Sequence, residues 1–346
     1  MKKFITVRGP FYSFLLSRKT LRVSALLLVT LLGVIVVSVG MGSIRIGIID
    51  TILTLFGHAK DSMHQVIIFD LRLPRIVIAM LVGASLAVSG AILQGMIRNP
   101  LASPDLIGIT GGATLGAVLY FYFFAGAVSI HMLPIGAVIG AFLSTFIIYL
   151  LAWKKGVSPL KLVLIGIGMN AAFTSITYML LISAPFLLAQ KALTFMTGSI
   201  YGTSWQNDVL PLLPWVLILI PAALLYARHI NVQELGDDVA AGLGSPVQKH
   251  RLVLLILAVS LAGAAVAIGG AIAFIGLMAP HIARKLVGPA FGGVLPVSAL
   301  IGALLLLIAD FVGRTMFTPL DIPAGVFTAI IGAPFFIYLL YRHRKA

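Results

Sequence analysis

The sequence predicts an all-α polytopic membrane protein of about ten transmembrane helices, with both termini on the cytoplasmic side. Three observations predict it. Hydrophobic residues make up 60% of the 346 residues and charged residues only 10%, where a soluble domain carries about 25% charged residues. Apolar runs recur along the whole chain, each long enough to cross about 30 Å of hydrocarbon as a helix. They do not alternate apolar and polar residues, as the strands of a membrane β-barrel would. Lysine and arginine, finally, concentrate on every second connection between runs.

The ten runs lie near 23–40, 73–95, 106–125, 132–152, 160–184, 209–227, 250–269, 272–287, 295–314 and 323–341. The eighth is short and carries Pro280. The first run follows Lys2, Lys3, Arg8, Arg18, Lys19 and Arg22 and has no small-residue cleavage site, so it reads as a retained span and not a signal peptide. Residues 1–22 then form a basic cytoplasmic tail, within which 4–16 is either a loose chain or an interfacial helix. Residues 23–342 form the membrane domain, and 343–346 a second basic tail.

Placing the N-terminus inside puts eighteen basic residues on the inner face: the six of the tail, Arg98, Lys154, Lys155, Lys161, Arg228, Lys249, Arg251, Arg284, Lys285, Arg342, Arg344 and Lys345. Six remain outside: Arg45, Lys60, Arg72, Arg75, Lys191 and Arg314. This bias is the positive-inside signature. Asp105, Glu234, Asp237 and Asp238 are the inner acids, so the whole net charge of +14 sits on the inner face. The basic character marks topology, not affinity for nucleic acid.

Thirty-five glycines cluster within the runs, among them Gly83, Gly90 and Gly95; Gly136 and Gly140; Gly166 and Gly168; Gly269 and Gly270. Small residues let helices approach closely in lipid. No strong internal repeat supports an inverted-repeat transporter. The chain has no cysteine, hence no disulfide or thiol chemistry. It has no G-x-x-x-x-G-K-[ST] phosphate loop and no H-E-x-x-H. His281, in APHIARK, reads as a structural histidine at a cytoplasmic helix end. No paired carboxylates lie within a run, where a proton-coupled carrier keeps them. Asp310 is the only acid inside a run, and Arg314 at i+4 is its expected partner. No catalytic residue, metal site or resident cofactor is expected.

Two signatures then carry a resemblance. Residues 71–118, LRLPRIVIAMLVGASLAVSGAILQGMIRNPLASPDLIGITGGATLGAV, and residues 269–288, GGAIAFIGLMAPHIARKLVG, resemble those of the FecCD family. Its members are permease subunits of iron-siderophore and vitamin B12 ATP-binding-cassette importers. LLLLIADFVGR at 304–314 and DIPAGVFTAIIGAPFFIYLL at 321–340 match its C-terminal part. The resemblance covers about 20–342 and implies the type II importer permease fold. It also implies a second permease subunit (a copy or a paralogue), two cytoplasmic ATPase subunits that use ATP and Mg, and an extracytoplasmic substrate-binding protein.

It assigns roles to residues as well. NVQELGDDVAAGLGSP at 231–246 holds the only glutamate. From its residues alone it reads as a solvated loop or a short polar helix, with Ala240, Ala241 and Leu243 as apolar contacts, ended by Gly242, Gly244 and Pro246. The resemblance implies an ATPase-coupling segment carried by Glu234, Leu235, Asp237, Asp238, Ala241, Gly242 and Gly244. It implies a cytoplasmic gate at Asn99, Pro100 and Leu101, where Pro100 and Pro104 stiffen the chain and suit a purely structural turn equally well, and a second gate segment in GVSPLK. There Pro159 and Leu160 replace the small polar pair of the vitamin B12 permease, a departure that argues against that substrate. Arg72, Arg75 and Arg314, on the outer face, either snorkel to the interface or meet carboxylates of the binding protein. In the outer segment 185–208, Phe195, Met196, Tyr201 and Trp205 either anchor the interface or line the pathway. The expected cargo is a ferric siderophore or related iron chelate. A corrinoid, haem or oxyanion is the alternative within the family, and an ion-coupled secondary transporter the alternative outside it.

Overall fold

The computed structural model describes residues 4–8, 13–42, 44–58, 61–124, 132–154, 156–318 and 320–343. Lys2, Lys3, Lys60, Lys155, Arg344 and Lys345 of the charge count lie outside these. The N-terminal tail is neither loose nor helical where described. β1 (Phe4–Arg8) and β2 (Ser13–Ser17) pair antiparallel. The chain then enters α1 (Arg18–Gly40), capped by the Ser17 hydroxyl accepting from the Lys19 amide.

Two short helices, α2 (Ile48–Leu55) and α3 (Ser62–Val66), lead through a π-helical turn at Ile67–Arg72 into α4 (Leu73–Ile97). Then come α5 (Ile109–Phe124), α6 (Leu133–Ala152), α7 (Pro159–Ser183) and α8 (Phe186–Thr197). A second π-helical turn, Trp205–Val209, opens α9 (Leu210–Leu225). The short α10 (Ala227–Glu234) and α11 (Asp237–Gly242) precede α12 (Val247–Gly269), α13 (Ile275–Val287), α14 (Phe291–Met316) and α15 (Ala324–His343). Among the described residues, eight helices are long and apolar enough to cross a membrane. The shorter α5 and α13 occupy the third and eighth expected spans.

α4 and α12 form the centre. In the most apolar stretch of each, 78% of residues are buried, against 17% for α7. Glycine sets the closest contacts. A Cβ on Gly83 would overlap the Gly302 backbone, and one on Gly90 the Gly276 backbone, so α4 touches α14 and α13 main chain to main chain. Gly168 meets nothing within 4 Å and takes no part in packing within this chain.

One segment corrects the reading of the connections. Residues 98–108 do not stay at the inner face. Pro104 packs on Gly276, which touches Gly90, two helical turns inside the end of α4 and thus about 10 Å deep. Non-helical backbone at such depth persists only where protein covers it or it lines a cavity. Asp105 is therefore not an acid in cytoplasmic water. It accepts from the Thr110 hydroxyl at 2.7 Å and from the Phe274 amide of the facing α12–α13 connection. α5 and α13 are short because both start from this buried level.

Side chains gather as the charge count requires. Arg98, Val157, Asp237, Arg251, Glu234 and Arg284 meet at one end. Val39, Arg72, Arg75, Arg314 and Asp321 meet at the other.

Candidate functional site

At the inner end, the segment 231–246, expected as one short polar helix, is divided between the end of α10 and all of α11. Gly236, at φ 108°, turns the chain from α10 into α11, and Gly244, at φ 78°, ends the segment. Only glycine holds such angles without strain. The exposed face, however, is apolar. Leu235, Val239 and Leu243, at four-residue spacing, are 59%, 51% and 66% exposed, with Ala241 and Gly242 beside them. Ala240, expected as a contact, is buried.

Two of the acids face inward. Glu234 meets Arg284 at 3.2 Å, and Arg284 also donates to Gln94 Oε1 of α4 at 2.5 Å while its guanidinium lies over Phe291. Burial holds the Glu234 carboxyl above the usual carboxylate range, against the lowering pull of Arg284. Asp237 accepts from Arg251 through both oxygens, at 2.8 and 2.9 Å, and pairs with Arg98 at 3.2 Å. Asp238 alone is exposed. The acids were expected to lie in water as a docking handle; Glu234 and Asp237 instead tether the segment to the bundle.

The gate residues lie next to these tethers. Arg98 ends α4 in the left-handed conformation, φ 57° and ψ 35°. Asn99 Oδ1 accepts from the Leu101 amide at 2.9 Å, and Leu101 packs against the cluster of Leu277, Met278 and Leu339. Pro159 and Leu160 open α7, with Leu160 68% exposed. The connection before them is held from α12: Gln248 Oε1 accepts from the Val157 amide at 3.2 Å, and Arg251 donates to the Val157 carbonyl.

At the outer end the three arginines are engaged within the chain. Arg72 donates to the carbonyls of Val39 and Ile44. Arg75 joins Asp310 at 2.8 Å and makes a forked pair with Asp321. Arg314 donates to Ser38 and Met41 and lies 3.6 Å from Asp310, so the expected Asp310–Arg314 pair is present and enlarged by Arg75. These groups surround an outer recess of about 520 Å3. Tyr201, 71% exposed, stands in it beneath Arg75. Trp205 donates its indole N–H to the Phe69 carbonyl of the first π-helical turn, at 2.7 Å. Phe195 packs against the core, and its carbonyl accepts from the Ala271 amide.

Met196 lines a second, deeper recess of about 220 Å3 with Asp105, Thr110, Thr114, Asn170 and Thr174. The sequence reading missed this polar patch. Its signal is the four-residue spacing of Thr110 with Thr114 and of Asn170 with Thr174, which puts each pair on one helix face. The acids' partners were missed as well. Arg251 is 1% exposed, a full turn into an apolar helix, a place where a charge needs a partner.

The cytoplasmic end also holds a histidine pair. The His229 and His250 rings lie 3.9 Å apart, with Tyr226 against both and the Ser245 hydroxyl 3.1 Å from His250 Nδ1. Burial, and then the charges of His250 and Arg228, hold the His229 imidazole below its usual range. The folded chain thus binds fewer protons than the unfolded one, so this contribution is full above about pH 6.5 and is lost as pH falls. The unfolding midpoint of the purified chain is expected to drop between pH 7.5 and 5.5, and to drop less in His229→Phe. Equal drops in both would refute this origin.

The profile of the FecCD transport family matches residues 27–342. The chain belongs to the FecCD transport family. This FecCD chain is 48% identical over 318 residues to the "Probable siderophore transport system permease protein YfhA" of Bacillus subtilis (strain 168), covering 90% of this chain and 92% of that one. It is 47% identical over 320 residues to the achromobactin transport system permease protein CbrC of Dickeya dadantii (strain 3937), covering 92% and 91%. Among solved structures, "An inward-facing conformation of a putative metal-chelate type ABC transporter" superposes with a TM-score of 0.83 at 31% identity, covering 93% of this chain and 99% of that one. The FecCD chain is thus a multi-pass membrane protein and a transport component, with the permease fold its signatures implied.

Proposed function

We propose that the chain is the membrane-spanning subunit of an importer that carries a ferric siderophore or related iron chelate into the cytoplasm by alternating access, powered by a separate ATPase. The observation that carries the coupling is the exposed apolar stripe Leu235, Val239 and Leu243 on a tethered cytoplasmic segment. An exposed apolar row on a polar face is what a protein partner covers. The stripe, with Ala241, Gly242 and Gly244 around it, is the part that enters the ATPase, and the acids behind it hold it in place. The chain itself changes no bond and binds no cofactor; ATP and Mg belong to the partner.

The second permease subunit, a copy or a paralogue, covers the bare face of α7, whose Leu164, Ile167, Met179 and Ile182 are exposed. The pathway runs along the other side of α7, past the polar recess of Asp105, Thr114 and Asn170, and closes inside at Asn99–Leu101 and Pro159–Leu160. The siderophore-transport name of the Bacillus subtilis relative supports a siderophore chelate over a corrinoid, haem or an oxyanion. Outside, the loaded binding protein sits over the outer recess. Of its three arginines, Arg75 is the one a partner carboxylate reaches, by displacing the part-exposed Asp321.

The test is uptake of labelled ferric chelates, haem and cobalamin by cells with and without this chain. Chelate uptake is expected to depend on it, and equal chelate uptake in both strains would overturn the reading. Leu235→Glu with Leu243→Glu is expected to leave insertion intact and to lower ATPase co-purification at least roughly tenfold, as for central interface residues. Native recovery of the ATPase would remove the stripe from the interface.

A further inference from the structure

We infer that Asp237 is not a docking contact but the junction through which the coupling segment moves both inner gates together, with Arg251 as its crossbar. The inference rests on the proposed importer function and goes beyond it by naming the transmitting side chains.

Asp237 is the first residue of α11. One of its oxygens is shared by two arginines from different helices, Arg251 at 2.8 Å and Arg98 at 3.2 Å. Arg98 is the residue immediately before Asn99–Leu101. A non-glycine residue keeps its left-handed conformation only where contacts hold it, and the ion pair with Asp237 is such a contact. Arg251 is fully buried and reaches two ways. Its Nη2 donates to both Asp237 oxygens, and its Nη1 donates to the Val157 carbonyl, two residues before Pro159. One carboxylate is therefore joined directly to the first gate segment and through one guanidinium to the second. The recess between them is lined by Arg98, Val157, Pro159, Asp237, Leu235 and Val239, so the coupling segment borders Arg98, next to the first gate, and Pro159 of the second.

The chemistry suits transmission. A planar guanidinium holds its two terminal nitrogens at a fixed angle, so the Asp237 carboxylate on Nη2 and the Val157 carbonyl on Nη1 are joined in direction as well as distance, and the single ammonium of lysine does not reproduce that span. Because Arg251 is buried, its bonds to Asp237 and Val157 cannot be exchanged for water at low cost. A displacement of α11 must carry both gate segments or break the junction. Leu235, Val239 and Leu243 are exposed instead, with Leu235 and Val239 at the same recess, so the residues that grip the ATPase adjoin those that pass its movement on.

The experiment uses the complete transporter in proteoliposomes, with its ATPase and binding protein, and reads chelate uptake, ATP hydrolysis and ATPase recovery together. Asp237→Asn and Arg251→Lys are expected to keep ATPase recovery and hydrolysis near native. Chelate moved per ATP should fall roughly tenfold, within the usual range of coupling between sites. A loss confined to folding would lower all three readouts in step. If Asp237→Asn does not insert, Arg251→Lys, which keeps the charge and loses the two-nitrogen link between Asp237 and Val157, decides on the same readouts. Native chelate moved per ATP in Arg251→Lys would overturn the junction. Loss of ATPase recovery in proportion to uptake, in protein that inserts normally, would overturn it too, by making Asp237 a docking residue. Failure of the native complex to move any ferric chelate would instead count against the importer reading.

Discussion

Gly90→Ala is expected to abolish recovery of folded protein. The added Cβ would overlap the Gly276 carbonyl and its flanking backbone atoms. Overpacking a core by a methylene costs about 1–3 kcal/mol when side chains can shift. Here the obstacle is the main chain of α13, which has no rotamer to yield. Separating α4 from α13 would also pull Gly276 off Pro104 and open the level at which residues 98–108 enter the bundle. Gly168→Ala gives the contrast. Nothing in the chain lies within 4 Å of its Cβ, and alanine is favoured over glycine in a helix by about 1 kcal/mol. Fluorescence-detected size-exclusion chromatography of detergent extracts checks both. A monodisperse Gly90→Ala peak of native height would refute the close approach.

What the sequence made legible follows from which constraints are local. The bilayer imposes length and apolarity on each crossing, so the eight long helices, and the places of the shorter α5 and α13, were legible from the apolar runs. The positive-inside bias then ordered them, and the ion pairs of the structure gather the inner and outer groups at opposite ends. The segment at 231–246 was conspicuous because a run of acids interrupts an apolar chain. Its facing was not legible. Whether Glu234 and Asp237 point at water or at Arg284, Arg251 and Arg98 depends on helices about 14 to 140 residues away, a non-local fact with no periodic trace. The re-entry of 98–108 was hidden for a similar reason. RNPLASPD has the prolines and polar residues of any surface connection, and only the Gly90–Gly276–Pro104 layer reveals its depth. α8 went unassigned because twelve residues are too few to span, and at that length apolar content alone does not separate a helix from an irregular segment.

Asp310→Ala is expected to destabilise the chain by about 3–5 kcal/mol, the cost of removing one partner from a buried charge pair. Asp310 is 0% exposed and faces two guanidiniums. Arg75 keeps Asp321 when Asp310 is lost. Arg314, 9% exposed as a side chain, keeps only the oxygens of Ser38 and Met41, so its positive charge is left buried without an acid. Asp321→Ala should cost far less, because Asp321 is 25% exposed and water can replace it at Arg75. Asp310→Ala combined with Arg314→Met should recover part of the loss, since it removes the stranded charge and keeps apolar volume. The recovery should be incomplete, because the Ser38 and Met41 carbonyls then lose their donor. This ordering has a functional reading. The outer ends of α1, α4 and α14 are locked to one another by the Asp310 network, so these three ends are held together as one unit. Unfolding midpoints of the purified variants check the order. An Asp310→Ala protein within about 1 kcal/mol of native, no more than an exposed ion pair contributes, would show that the outer lock does not exist.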